Sequence, residues 1–171
     1  MKEIRRIFPW IFLVCSFGVL CAFMILRFEY VLDSDMASEL ILAQQMSQEG
    51  RFVFTDSWYY TSELRVLSFQ LIMAPLFRIF SDWHMLRVTG SVICYLLLLL
   101  SYFYFCCQAG LRKEFPLTAA FLLMPFSVEY FAVCLYGLFY LPHMIVAFFM
   151  IGMVLKLRKT KKTGTCLLYT S

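Results

Sequence analysis

Four stretches of this chain are apolar for about twenty residues or close to it, and crossing a bilayer core of about 30 Å takes about 20 residues of helix. The first runs from Ile7 to Leu26 behind the basic start Lys2, Arg5 and Arg6. The second opens at Trp83, after the capping pair Ser81 and Asp82, and carries the dense run Cys94 to Leu100. The last two share residues 116 to 157, beginning at Pro116, a residue suited to a first helical turn. They are expected to form a tight helical hairpin that turns near Tyr136, Gly137 and Leu138, with a kink at Pro125 and with Pro142 tolerated in the first turn of the last helix. A soluble globule is excluded by the balance of the remainder. Of 171 residues, 62% are hydrophobic and only 15% charged, against about 25% charged in an ordinary soluble domain.

The predicted architecture is therefore all-α: a polytopic helical membrane protein with about four transmembrane helices, at 7–27, 83–107, 116–136 and 138–157. Residues 28–82 form a long outer loop with two interfacial helices, over about 35–49 and 62–74. Six of the seven cysteines fall inside apolar runs, where they read as small packing or lipid-facing residues instead of a disulfide framework. The first stretch is longer than a signal-peptide core and no A-x-A-like site follows it, so it is expected to be a retained anchor.

Charge gives an orientation, because Lys and Arg near span ends collect on the cytoplasmic side. Residues 1–6, 112–114 and 156–162 hold ten basic side chains and two Glu, whereas residues 28–84 hold three Arg against eight acids. Both ends, together with the loop 108–115 and the tail 158–171, are thus expected in the cytoplasm of a plasma-membrane protein. The Lys156 to Lys162 cluster reads as a topology anchor, so no nucleic-acid partner is expected.

The outer loop holds the residues with chemical potential. Asp33-Ser34-Asp35 follows the first span directly, and Glu39 lies one helical turn beyond Asp35 on the same face. Carboxylates converging there can hold a divalent cation, or one can take a proton from an acceptor hydroxyl. Asp at a helix start also caps free N–H groups and favours the helix dipole, which accounts for Asp33 and Asp35 without any chemistry. Trp58, Tyr59 and Tyr60 make an aromatic patch of the kind found at a membrane interface. Within the spans, counting along the helices puts Glu129 and His143 at similar depth in the outer half, as a buried pair, a proton-handling element or a cavity floor. Motifs for nucleotide hydrolysis, dinucleotide binding, zinc proteolysis and serine hydrolysis are lacking.

A first span, a long outer loop opening on a DxD-like acid pair, surface helices in that loop, and closely spaced later spans resemble the N-terminal portion of GT-C-type membrane glycosyltransferases. That class includes protein mannosyltransferases and lipid A aminoarabinose transferases. The resemblance covers about residues 1 to 157 and lies in layout more than in motif, since Ser34 separates the two acids. It implies that Asp33 or Asp35 serves as base or metal ligand and that the donor is a sugar on a polyprenyl phosphate, used at the outer face. Arg65 is the preferred partner for the donor phosphate, with Arg51, Arg78 and Arg87 as further candidates. Glu39, Glu129 and His143 complete the expected substrate-binding set. The rival expectation is a non-enzymatic polytopic protein, either a transporter piece or an envelope assembly component. Finally, Cys166-Leu167-Leu168-Tyr169-Thr170-Ser171 resembles one reading frame of a transposon mosaic-end sequencing adapter, so the native chain is expected to continue beyond about Lys162, and these residues alone to be inactive.

Overall fold

Inside hydrocarbon there is no water to satisfy a backbone amide, so apolar stretches of this length favour helix, whose hydrogen bonds close within the segment. The computed structural model describes the backbone of residues 2–51, 53–60 and 68–168, and the side chains of 7–27, 32–51, 53–60 and 68–160. Every regular element among the described residues is helical.

Helix α1 (Lys2–Val31) buries Leu13, Leu20 and Met24, spaced by seven and four residues and so on one face. Ile7, Phe8, Ile11, Val14, Val19 and Leu26 stay on its exposed side, a surface suited to lipid. Helix α2 (Ser34–Glu49) and the short α3 (Gln70–Leu76) follow in the loop segment. Helix α4 (Trp83–Ala109) starts where the Asp82 carboxylate accepts from the His84 amide at 3.0 Å, and it ends at Gly110, whose φ of 81° suits glycine. After α5 (Phe115–Leu122) come a single turn, α6 (Val128–Tyr130), a π-helical turn over Phe131–Tyr136, and the long α7 (Leu141–Leu168). Among the described residues, three helical segments are long and apolar enough to cross a membrane: Ile7–Arg27, Trp83–Ala109 and Leu141–Thr160.

The stretch 116–136, expected as one kinked span, is instead interrupted from Leu123 to Ser127. Pro125 lacks the N–H that a continuing helix needs, and around it the chain makes tight turns, with the Met124 amide on Phe121 and the Phe126 amide on Met124. The hydroxyl of Tyr130 reaches back to the Leu122 carbonyl at 2.5 Å, satisfying an acceptor that the break exposes.

The hairpin expectation is corrected as well. The chain does turn at residues 137–140, but α5 and α7 pack on different partners, α5 along α1 and α7 along α4. Phe12 meets Phe121 edge-on at 5.7 Å on one side of the bundle, and Tyr102 meets Phe148 at 4.8 Å on the other. Gly152 lets α7 come close, since a Cβ there would lie 2.7 Å from the Tyr104 ring. At the other end of α4, α2 rests on α3 and α3 rests on α4. Gly90 makes the second approach possible, because a Cβ in its place would lie 2.5 Å from the Met73 sulfur. Only part of the helix expected over 62–74 is described, as α3; residues 61–67 lie outside the described residues.

Candidate functional site

Asp33 sits at the junction of α1 and α2 in an extended conformation, and its Oδ1 accepts from the Met36 amide at 2.8 Å. It is an N-cap, as its position in the sequence allows. Asp35 occupies the first turn of α2 and is exposed. Glu39, one turn further on, is buried, and its carboxylate lies 3.8 Å from the Nη1 of Arg87 on α4. The three acids of one short segment therefore meet three different environments: a backbone amide, solvent, and a buried guanidinium.

Arg87 organises the surroundings of that pair. From its place at the start of an apolar helix it is expected to reach for headgroups or a donor phosphate, yet it is fully buried. Its Nη2 donates to the carbonyl of Tyr136 at 3.1 Å and to that of Gly137 at 2.9 Å. The Cζ of the guanidinium lies over the Phe69 ring, 4.5 Å from its centre. Two turns along the same helix, the Tyr95 hydroxyl donates to the carbonyl of Leu135 at 2.6 Å. Three consecutive carbonyls at the end of the π-helical turn, which have no continuing helix to bond, are thus satisfied by side chains of α4. A cation at a helix C-terminus is also favoured by the helix dipole, and Glu39 supplies the counter-charge.

Glu129 and His143 lie apart from this cluster. Glu129 is exposed in the first turn of α6, which Ser127 caps by accepting from the Tyr130 amide at 3.0 Å. His143 is exposed near the start of α7, its ring 6.1 Å from that of Tyr140. Among the described residues no hydrogen bond or ion pair joins Glu129 to His143, because α7 follows α4 and not the segment that carries Glu129. Arg65 lies outside the described residues. Arg51 pairs with Asp56 at 3.7 Å on the surface, and together with Ser47 and Arg78 it borders a small recess between α2 and α3.

The acid pair is a poor match for a resident divalent cation. One oxygen of Asp33 is engaged by a backbone amide, and among the described residues no three His, Cys, Asp or Glu side chains converge. A cage for a hard cation needs about six or more oxygens.

Two structural groupings are not among the sequence expectations. One is the Arg87, Ser91 and Tyr95 stripe at i, i+4 and i+8 of α4, whose spacing puts three polar groups on one face of an otherwise apolar helix. The second is a small network that closes the loop after α2. The Glu49 carboxylate accepts from Gln45 Nε2 at 2.7 Å and from the hydroxyl of Thr55, while the Thr55 amide donates to the Tyr60 hydroxyl at 3.1 Å. Hydrogen bonds from Ser57, Thr55 and Gln45 push the Glu49 carboxyl down to about 2.

An apolar cavity of about 540 Å³ opens between α1 and the broken segment, lined by residues that include Phe12, Leu20, Phe23, Leu123 and Pro125. No protein-family model, curated protein or solved structure matches the chain.

Proposed function

We propose that this chain belongs to an integral membrane glycosyltransferase that takes a sugar from a polyprenyl-phosphate donor at the outer face of the plasma membrane, with both termini on the cytoplasmic side. Three long apolar helices support the membrane setting, and the excess of Lys and Arg in residues 1–6, 112–114 and 156–162 supports the orientation.

The observation that carries the catalytic part is the exposed carboxylate of Asp35, held in the first turn of α2 immediately beyond the first apolar helix. Its neighbours Asp33 and Glu39 are occupied by a backbone amide and by Arg87, so Asp35 is the acid left to act as general base. In the proposed step the acceptor hydroxyl gives its proton to Asp35, and its oxygen bonds to the anomeric carbon. The bond from that carbon to the phosphate oxygen breaks, and the polyprenyl phosphate leaves with the electron pair. Arg51 and Arg78, which border one recess on the outer layer, and Arg65 are the cations proposed for that phosphate.

A second reading, a non-enzymatic polytopic protein, is favoured by one specific observation: two of the three acids already have structural work, Asp33 as a cap and Glu39 in the buried pair. Asp33→Asn and Asp35→Asn, each in the intact gene, separate the two. Transfer of labelled sugar from a polyprenyl-phosphate donor in isolated membranes is expected to survive Asp33→Asn, since Asn also caps, and to fall by about 100-fold or more in Asp35→Asn. Transfer retained in both variants removes the enzymatic reading.

A further inference from the structure

We infer that Arg87 couples the seating of α2 on the bundle to the closed form of the turn at residues 135–140, so that releasing either one loosens the other.

One side chain touches three separated parts of the chain. Arg87 faces Glu39 of α2, covers Phe69 at the entry to α3, and holds the carbonyls of Tyr136 and Gly137 at the turn before α7. The whole residue is fully buried. A buried guanidinium is tolerated only while its charge is compensated. Its donors are unevenly shared: Nη2 serves both carbonyls, whereas Nε and Nη1 make no hydrogen bond among the described residues. Beside those two carbonyls, the carboxylate of Glu39 at 3.8 Å supplies a full opposite charge. Without that carboxylate, Arg87 lowers its energy by withdrawing along its flexible stem toward water.

The turn cannot keep its form through that withdrawal. Leu138 has a φ of 63°, a left-handed conformation that is strained for an L-residue with a side chain. Such a conformation persists only where its surroundings over-determine it. Here they do: Leu138 is fully buried, the Gly137 and Phe139 amides bond back to Ala132 at 2.7 Å and Val133 at 3.0 Å, and α4 holds the carbonyls of Leu135, Tyr136 and Gly137. Two of those three carbonyls lose their donor when Arg87 leaves. The turn and the seat of α2 thus share one guanidinium. A link of this kind acts in both directions, because a coupling free energy between two sites is reciprocal. It concerns the architecture and holds for either reading of the function.

Hydrogen–deuterium exchange on the full chain in lipid nanodiscs tests the coupling. Glu39→Gln keeps the size of the side chain and removes the counter-charge; it is expected to speed exchange at the Gly137 and Phe139 amides about tenfold or more. Leu138→Ala alters the turn and leaves the sequence of α2 unchanged, and it is expected to speed exchange in α2 between Met36 and Met46. Thr55→Ala, which contacts α2 through Glu49 but not Arg87, serves as the control and is expected to leave the turn unchanged. If Glu39→Gln fails to accumulate, Arg87→Lys replaces it, retaining the charge while losing the Nη2 that reaches both carbonyls, with the same expected loosening of the turn. Exchange at 137–139 that stays at the wild-type rate in Glu39→Gln, or in Arg87→Lys, overturns the inference. So does equal loosening of the turn by Thr55→Ala, which would report general softening.

Discussion

The guanidinium of Arg87 and the carboxylate of Glu39 face each other at 3.8 Å inside the helix bundle, each shut off from solvent. A pair in this position contributes little net stability, yet breaking it by removing one partner is costly, typically about 3–5 kcal/mol. Arg87→Ala is expected to lie at the upper end of that range, because it also strips the donors from Tyr136 and Gly137. Glu39→Ala is expected to cost less, and the double variant less than the sum of the two. Thermal unfolding of the four proteins of this cycle in detergent checks the prediction; strict additivity would show that the pair does not interact.

Tyr95 and Tyr130 each spend a hydroxyl on one stranded carbonyl, that of Leu135 and that of Leu122. Tyr95→Phe leaves its acceptor in the fully buried heart of the bundle and is expected to cost about 1–3 kcal/mol. Tyr130 is only half-buried, so Tyr130→Phe is expected to cost about 1 kcal/mol or less. The order of the two melting shifts is the readout.

The acids at the start of α2 separate by stability alone. Asp33→Ala removes a cap and is expected to cost about 1 kcal/mol, whereas Asp33→Asn stays close to wild type. Asp35→Ala loses only a favourable charge in the first turn, worth about 0.3–1 kcal/mol. Denaturant titration followed by circular dichroism orders the three, and an Asp33→Ala variant as stable as wild type would contradict the capping role.

Acid should open the loop that follows α2 later than an ordinary carboxylate would allow. The Glu49 carboxyl is held down to about 2 by hydrogen bonds from Ser57, Thr55 and Gln45. Because its folded value lies below its unfolded one, the stabilisation is complete above about pH 4.5 and is lost as pH falls through about 2. Fluorescence of Trp58, with Trp10 and Trp83 changed to Phe, is expected to shift with a midpoint near pH 2. The shift disappears in Glu49→Gln, and a midpoint near pH 4 would refute the assignment.

Gly152 marks a close approach of α7 to α4, with the Tyr104 ring and the Phe105 Cα facing it. Gly152→Leu forces the helices apart and is expected to cost about 1–3 kcal/mol, read as a lower melting temperature in detergent.

Helical class, the three long helices and the start of α2 at Asp33 were legible because each rests on local information: apolar length and a capping side chain. The broken segment was legible in part. Pro125 marks a disturbance, but a kink and a full interruption share one sequence, and the choice depends on whether stranded carbonyls find donors elsewhere. Those donors come from Tyr130, Tyr95 and Arg87, and the last two belong to a different helix. For the same reason Glu39 reads from the sequence as a surface acid beside Asp35. Only the arrival of α4 and α3 turns it into a buried one. The pairing of α5 with α1 was hidden too, since loop length says that two helices follow one another, not that they touch.

The three carbonyls held by Arg87 and Tyr95 have a consequence for assembly in time. Helix α4 is synthesised before the segment that leans on it, so both donors are in place when residues 131–137 leave the ribosome. The polar end of that segment can enter the bilayer beside a partner already there, whereas a chain with the two halves in reverse order would have to insert unsatisfied carbonyls first.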